Sequence, residues 1–278
     1  MKIGIVDVGG GYRGIYAAGV LDYCMDQDIC FDLGIGVSAG SCNLISYAAQ
    51  QPRRNLKFYS EYGRRKESAG PKLFFQKNTF LDLDYLYGTL SNSDGECPLD
   101  YETFAQSPMD YYAVALDAQT GETVYFGRDD IPRDDYNALK ASCAMPFFCH
   151  PYCVNGRPYY DGALGDPIPV SKAFQMGCDR VVVLLSKPAS FRKVPDRDQR
   201  LAMLISRDYP RAAEKLRRRA ELYTQQVGLA QLYARQGRAL IVAPDDTCGV
   251  DTLTRDPDTL IKFYEKGYAD GTKIRDFL

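Results

Sequence analysis

The first fifty or so residues of the chain repeat one pattern twice, an apolar run followed by apolar positions at helical spacing. Residues 2–8 predict a buried strand, and residues 15–25 carry apolar side chains three and four positions apart, which predicts a helix. Residues 33–37 and 39–50 repeat that order. This order of strand, helix, strand and helix favours right-handed crossovers and a parallel sheet, so both strands should end at the same edge of the sheet.

The rest of the chain continues this alternation and predicts an α/β fold with a mostly parallel central sheet. Strands are predicted at residues 111–117, 122–126, 149–154, 157–160, 180–185 and 239–243, and helices at 52–66, 136–144, 170–176, 210–235 and 256–277. Residues 52–107 are less regular, and they predict either a cap-like insertion over the sheet or a packed excursion. We expect one domain over residues 1–278, in which residues 209–278 form a C-terminal helical segment.

Composition and charge predict a soluble, cytoplasmic protein. The chain has 278 residues, 45% of them apolar, and a formal charge of −2, which gives no general attraction to nucleic acid. Residues 1–20 lack the pattern of a signal peptide, and no apolar run reaches the ~18 residues of a membrane span. The nine cysteines are irregularly spaced, which favours reduced thiols. Cys149, His150 and Cys153 lie close together without a second ligand pair, so we expect no metal and no cofactor.

A serine between two glycines marks the end of the second strand. Gly36, Ser38 and Gly40 form a G-x-S-x-G motif between an apolar strand and a small-residue helix, which is the context of a nucleophile elbow. The glycines allow close backbone approach, and the following helix directs free N–H groups towards the serine. The alternative is that Ser38 only caps the helix, since serine is a favoured N-cap residue.

The first strand is followed by a glycine-rich loop at residues 9–14. Its G-x-G-x-x-G spacing fits a dinucleotide-binding turn, but the second strand ends in a serine where that fold needs an acidic residue. Consecutive glycines can also direct several N–H groups inward as an oxyanion hole. The candidate donors are the N–H groups of Gly9, Gly10, Gly11 and Ala39. Arg13 either steadies the loop or meets a phosphate, and Gly14 supports the turn; a plain tight turn is the alternative.

A serine nucleophile needs a base, and the chain offers one histidine and one well-placed aspartate. His150 is the single histidine and lies in a proline-flanked segment without a triad signature. Asp161 follows the aromatic residues 159–160, which could desolvate it and raise its pKa, and it precedes Gly162. Asp161 is therefore the better candidate, although an aspartate at a strand end is commonly only a turn or cap residue.

Four blocks of the chain together resemble the signature of the patatin-like phospholipase family. They are the glycine loop at residues 9–14, the Ser38 turn at 36–40, the A-S-C-A-M-P stretch at 141–146 and the D-G-A segment at 161–170. The resemblance implies a three-layer α/β/α fold and a Ser38–Asp161 dyad that hydrolyses acyl esters of lipids. Pro167 stands where the family usually has asparagine, and His150 where a proline is common.

The expected partner is a lipid or acyl-ester substrate, and nucleic acid is not expected. A basic cluster at residues 215–219 on the long predicted helix suggests either peripheral membrane contact or, preferably, a solvated outer face. Two other functions stay open, a nucleotide- or dinucleotide-binding protein that uses the glycine loop and a catalytically silent lipid-binding relative. The sequence does not predict the oligomeric state or which lipid is cleaved.

Overall fold

The computed structural model describes residues 1–77 and 79–278; Asn78, within the predicted insertion of residues 52–107, lies outside the described residues. The strands are β1 (Ile3–Asp7), β2 (Leu33–Val37), β3 (Asp110–Asp117), β4 (Thr123–Phe126), β5 (Tyr152–Val154), β6 (Arg157–Asp161), β7 (Arg180–Leu184) and β8 (Ala239–Val242). The helices are α1 (Ile15–Asp26), α2 (Ala39–Ala48), α3 (Arg54–Ser60), α4 (Pro71–Lys77), α5 (Tyr101–Gln106), α6 (Asn137–Cys143), α7 (Val170–Gln175), α8 (Asp196–Ile205), α9 (Pro210–Arg235), α10 (Pro257–Asp270) and α11 (Thr272–Arg275).

The described strands form one mixed sheet in the order β5-β6-β3-β2-β1-β7-β8, with β4 paired to β3. The central pairs β3–β2, β2–β1, β1–β7 and β7–β8 are parallel, and β4, β5 and β6 are joined by antiparallel pairs. The predicted hairpin of β5 and β6 turns at Asn155 and Gly156, both with positive φ. The expectation of a mostly parallel α/β sheet is confirmed.

Helices cover both faces of the sheet, as a sheet with parallel central strands requires. Along β7, Val182 and Leu184 face α1, α2, α6 and α10, whereas Val181 and Val183 face α7 and α9. Successive side chains of a strand point to opposite faces, so both sets can be fully buried. The three-layer arrangement follows from this double-sided burial.

Some predicted helices differ in extent from those in the structure. The predicted helix at residues 52–66 is wrong in its second half, because α3 ends at Ser60 and a 3-10 turn follows at Tyr62–Arg64. Gly63 is a poor helix former, and its carbonyl accepts a hydrogen bond from the Tyr12 hydroxyl. The last predicted helix is divided at Gly271 into α10 and α11. Helices α4, α5 and α8 were not predicted.

Candidate active site

Ser38 lies at the sharp turn between β2 and α2. Its backbone angles are φ 56° and ψ −132°, an uncommon conformation for a residue with a side chain. Within the described chain the Ser38 hydroxyl makes no capping hydrogen bond to α2, so the N-cap alternative has no support. Strain of this kind costs about 1–3 kcal/mol and is commonly found at functional sites. The turn exposes the hydroxyl to the cavity described below.

The end of α6 and the residue after it hold both candidate catalytic residues in place. The buried Ser142 hydroxyl accepts a hydrogen bond of 3.0 Å from the Ser38 N–H. Two residues later, the Ala144 carbonyl accepts a bond of 3.0 Å from the Asp161 N–H. Residues 141–146 thus link the serine turn to the end of β6. The sequence showed this block as part of a family signature but gave no role to Ser142.

The strand register brings Ser38 and Asp161 to the same level of the sheet. Val37 pairs with Val114 and Asp161 pairs with Ala115, both on the side of β3 that faces away from β4, since β4 pairs with the same two β3 residues on the other side. Ser38 follows Val37, so the end of β2 meets the end of β6 at this point of β3. The two strands thus run towards each other along one side of β3, and this brings Ser38 and Asp161 close together.

Asp161 is a buried carboxylate with one unsatisfied oxygen. Its Oδ1 accepts a hydrogen bond of 2.8 Å from the Ala163 N–H. Its Oδ2 has no hydrogen-bond partner among the described residues. Burial raises the pKa of Asp161 to about 6, and the Ala163 N–H and the Ser38 hydroxyl partly oppose this rise. The Ser38 hydroxyl is thus close enough to the Asp161 carboxylate to affect its pKa, although the two do not form a hydrogen bond of standard geometry.

A buried polar network holds the glycine loop in place, and sequence reasoning missed this network. Asp7 at the end of β1 accepts hydrogen bonds of 2.9 Å from the Gly9 N–H and from Asn43 Nδ2. Asn43 also donates to the Gly14 carbonyl. The expectation that the Gly9 N–H serves an oxyanion is corrected here, because that donor is already engaged. Gly10 and Gly11 begin a 3-10 turn, where N–H groups have no partner inside the turn.

The glycines behind the site are needed because backbones approach closely there. A Cβ atom would lie within 2.3 Å of a backbone atom at four positions, Gly9, Gly36, Gly40 and Gly162. At Gly14 it would lie 2.4 Å from the Tyr59 hydroxyl. Real Cβ atoms do not tolerate such distances, so any side chain would push β1, β2 and α2 apart. Gly9 also lines the cavity, whereas the other four support the site from outside it.

Arg13 ties the glycine loop to the C-terminal part of the chain. Its Nη1 donates a hydrogen bond of 2.7 Å to Thr252 Oγ1, and the Thr252 carbonyl accepts one from the Tyr12 N–H. Burial lowers the pKa of Arg13, while Asp251 opposes that shift. The structure therefore gives Arg13 the loop-supporting position that was one of its two expected roles.

These groups surround one cavity of about 650 Å³. Its lining includes the candidate residues Gly9, Gly10, Gly11, Arg13, Ser38, Ala39 and Asp161. Much of the wall is apolar and comes from residues 52–107, with Phe58, Leu81, Leu86 and Tyr87 among them. His150 is exposed and does not contribute to the lining. In the described ranges no group of three His, Cys, Asp or Glu side chains could hold a metal ion.

The loop after Asp161 is fixed without the family's usual asparagine. Pro167 occupies that position and lines the cavity. The neighbouring Asp166 accepts hydrogen bonds of 2.5 Å from the Tyr125 hydroxyl and from Gln226 Nε2. Gln226 Oε1 accepts a further bond of 2.8 Å from the Ile168 N–H. Helix α9 therefore supplies the support that Pro167 cannot.

Comparison with known proteins identifies the family. Residues 8–174, more than half of the chain, match the model of the patatin-like phospholipases. The chain therefore belongs to the patatin-like phospholipase family, which is a family of lipid hydrolases. Residues 209–276 match a second model, a domain of unknown function called DUF6363.

The individual relatives are themselves uncharacterised. The chain is 31% identical to the uncharacterised protein YjjU of Escherichia coli over 201 residues, 70% of this chain and 54% of that protein. It is 33% identical to the uncharacterised NTE family protein Rv1063c of Mycobacterium tuberculosis over 79 residues, 28% of this chain and 21% of that protein. The chain thus spans about half the length of its E. coli relative.

A solved structure agrees with the fold. VipD from Legionella pneumophila superposes with a TM-score of 0.50 at 12% identity, covering 99% of this chain and 67% of that chain. At that identity the likeness concerns the fold alone. No helix within the described ranges combines the length and hydropathy that crossing a membrane requires.

Proposed function

We propose that this protein is a serine acyl hydrolase of the phospholipase A or esterase type, with Ser38 as nucleophile and Asp161 as base. The observation that carries the proposal is the buried Asp161 carboxylate, which has an unsatisfied Oδ2 and lies close to the Ser38 hydroxyl. A pKa of about 6 leaves this carboxylate ionised at neutral pH and makes it a stronger base than an ordinary aspartate.

In the first half-reaction, Ser38 Oγ attacks the acyl carbonyl carbon while Asp161 takes the hydroxyl proton. The tetrahedral intermediate collapses when the ester C–O bond breaks, and Asp161 gives that proton to the departing alkoxide. In the second half-reaction, Asp161 takes a proton from water, whose oxygen attacks the acyl-enzyme. Ser38 then leaves and recovers the proton from Asp161.

The proposed oxyanion hole consists of the N–H groups of Gly10, Gly11 and Ala39. Gly10 and Gly11 start a 3-10 turn, and Ala39 starts α2, so all three are N–H groups that helical bonding leaves free. The α2 dipole adds positive potential at the same place. Loss of one such donor typically costs about 3 kcal/mol of transition-state stabilisation. We further propose that residues 52–107 cap the cavity and shield the reaction from water.

Substitution and active-site labelling together test the proposal. Ser38→Ala should abolish hydrolysis of p-nitrophenyl acyl esters and labelling by a fluorophosphonate, with little change in melting temperature. The Ser206→Ala variant, at a surface position away from the cavity, is the matched control and should behave as the wild type. Mass spectrometry should locate the label on Ser38. Retained hydrolysis in Ser38→Ala would refute the assignment, whereas an unlabelled, inactive wild type that binds lipid would indicate a silent relative.

A further inference from the structure

The cavity wall has a strong excess of positive charge. Seven cationic side chains of the described chain line it, namely Arg13, Arg54, Lys187, Lys193, Arg197, Arg219 and Arg255, against two carboxylates, Asp161 and Asp198. The whole chain, by contrast, has a formal charge of −2. The excess is therefore a local property of this cavity.

Some of these cations have structural partners. Arg54 and Arg255 donate to uncharged oxygens around the insertion, such as the carbonyls of Cys97 and Gly63. Arg13 is bound to Thr252. Arg219 pairs with Asp198, and its Nε–Oδ2 distance is 2.8 Å. These contacts account for four of the seven.

The other three cations come from one short segment that runs from the end of β7 into the first turn of α8, which we call the basic strap (residues 186–198). Lys193 lies 3.3 Å from Asp198, which it must share with Arg219. Across residues 1–77 and 79–278, no carboxylate lies within ion-pair distance of Lys187 or Arg197. Both instead lie against aromatic faces, Lys187 Nζ at 3.5 Å from the Phe191 ring centre and the Arg197 guanidinium at 5.5 Å from that of Phe148.

The basic strap holds partly buried positive charges close to one another, which is electrostatically unfavourable. Burial, with Arg13 and Arg197 nearby, lowers the pKa of Lys187 to about 8. Burial, with Arg219 nearby, lowers the pKa of Lys193 to about 7. An anion between these side chains would reduce the repulsion and favour the charged form of both lysines. The basic strap also adjoins the glycine loop, since a Cβ at Gly10 would lie 2.5 Å from Ser186 Oγ.

We propose that Lys187, Lys193 and Arg197 of the basic strap bind the phosphate of the substrate, so that the enzyme prefers acyl esters that carry a phosphate group over neutral esters. This inference rests on the function proposed above. The apolar wall from residues 52–107 offers the acyl chain a complementary surface, and Ser38 lies in the same lining. Phosphate at the strap and acyl chain on the apolar wall would orient the ester carbonyl towards Ser38.

The test compares two substrates that differ only in the phosphate. Lysophosphatidic acid and the monoacylglycerol with the same acyl chain are presented in the same neutral detergent micelles, and kcat/KM is measured for each. Wild-type protein should favour the phosphate-bearing ester by at least tenfold. Lys187→Gln and Arg197→Gln should each reduce that ratio about tenfold or more, because a charge-assisted bond to phosphate is lost. Lys215→Gln and Arg218→Gln, exposed on α9, are matched controls and should keep the ratio.

A binding measurement separates failure of this inference from failure of the hydrolase proposal. Ser38→Ala protein is titrated with fluorescent lysophosphatidic acid, and Lys187→Gln in that background should weaken binding about tenfold. This result would support the strap even if neither ester were hydrolysed. Equal binding in the two proteins, or an unchanged kcat/KM ratio in both strap variants, would overturn the inference. Inorganic phosphate as competitor distinguishes the source: displacement at micromolar concentration would mean a site for free phosphate and would overturn the lipid assignment, and weak competition would support it.

Discussion

The Ser142 hydroxyl accepts a hydrogen bond of 3.0 Å from the backbone N–H of Ser38, across 104 positions of the sequence. Ser142 is fully buried, so the accepting hydroxyl of this bond is shielded from water. A Ser38 backbone at positive φ needs support from its surroundings to persist. This bond fixes the orientation of the peptide just before the candidate nucleophile and connects it to α6.

Ser142→Ala should lower kcat for p-nitrophenyl ester hydrolysis about tenfold and leave KM nearly unchanged. The substitution leaves the half-buried Ser38 N–H without its acceptor, which costs about 1–3 kcal/mol, so the melting temperature should also fall. Steady-state kinetics and thermal melts measure the two effects. Surface Ser206→Ala should change neither. A destabilised variant with unchanged kcat would mean that Ser142 only contributes to folding.

Asp161→Asn should make the protein more stable at pH 8 while abolishing activity. The folded pKa of about 6 lies above the ordinary 3.8, so the stability that protonated Asp161 contributes is complete below about pH 4 and is lost as pH rises through 6. Asparagine carries no charge and avoids that loss, which is about 3 kcal/mol at most. Urea unfolding at pH 8 and pH 4 should show a gain only at pH 8. Lower stability of the variant at pH 8 would contradict this account.

The pH dependence of catalysis should follow the same carboxylate in the opposite sense. Asp161 acts as a base only when deprotonated, so kcat/KM should rise with pH through about 6 and then level off. A soluble p-nitrophenyl ester allows the profile to be measured between pH 4.5 and 8.5. An inflection near pH 4 would mean that the nucleophile's base is not desolvated.

Asp7 also has a pKa raised by burial to about 6, so the stability profile of Asp161→Asn should retain a residual transition near that pH.

Gly40→Ala should be strongly destabilising, whereas Gly228→Ala should not. A Cβ at Gly40 would lie 2.2 Å from the Asp7 carbonyl oxygen, which would force α2 away from β1. No heavy atom lies within 4 Å of a Cβ at Gly228, a described residue in the interior of α9. Alanine there should stabilise the helix by about 0.5–1 kcal/mol. Chemical denaturation of both variants measures the contrast; equal stability would mean that the packing behind Ser38 is loose.

The parts of the site that sequence could predict are those with local signatures. The glycines around Ser38 and in residues 9–14 are imposed by close backbone contacts, so they appear as short motifs. Hydrophobic periodicity sufficed for the strands, since β7 and its neighbours are buried on both faces. The predicted length of α3 was wrong because Gly63 and a tertiary contact from Tyr12 end the helical region early.

The parts that sequence could not predict depend on contacts between distant segments. Asp7 and Asn43 are 36 positions apart, and neither has a motif that marks it as support for the glycine loop. Arg219 was assigned with its neighbours to a solvated outer face, and this is wrong for Arg219, which is buried against Asp198 of the unpredicted helix α8. The basic strap likewise becomes a feature of the cavity only when β7 and α8 are in place.

Asp198→Asn should destabilise the fold by about 3–5 kcal/mol, because it leaves Arg219 buried without a counter-charge. Lys193, which shares the same carboxylate, would lose its partner too. The double variant Asp198→Leu with Arg219→Met should recover most of that loss, since an apolar pair carries no desolvation penalty. Equilibrium unfolding measures all three proteins, and Glu214→Gln, an exposed residue one and a half turns before Arg219 on α9, controls for loss of a surface charge. A single variant as stable as the wild type would show that water screens Arg219, and the α8–α9 contact would then depend on apolar packing alone.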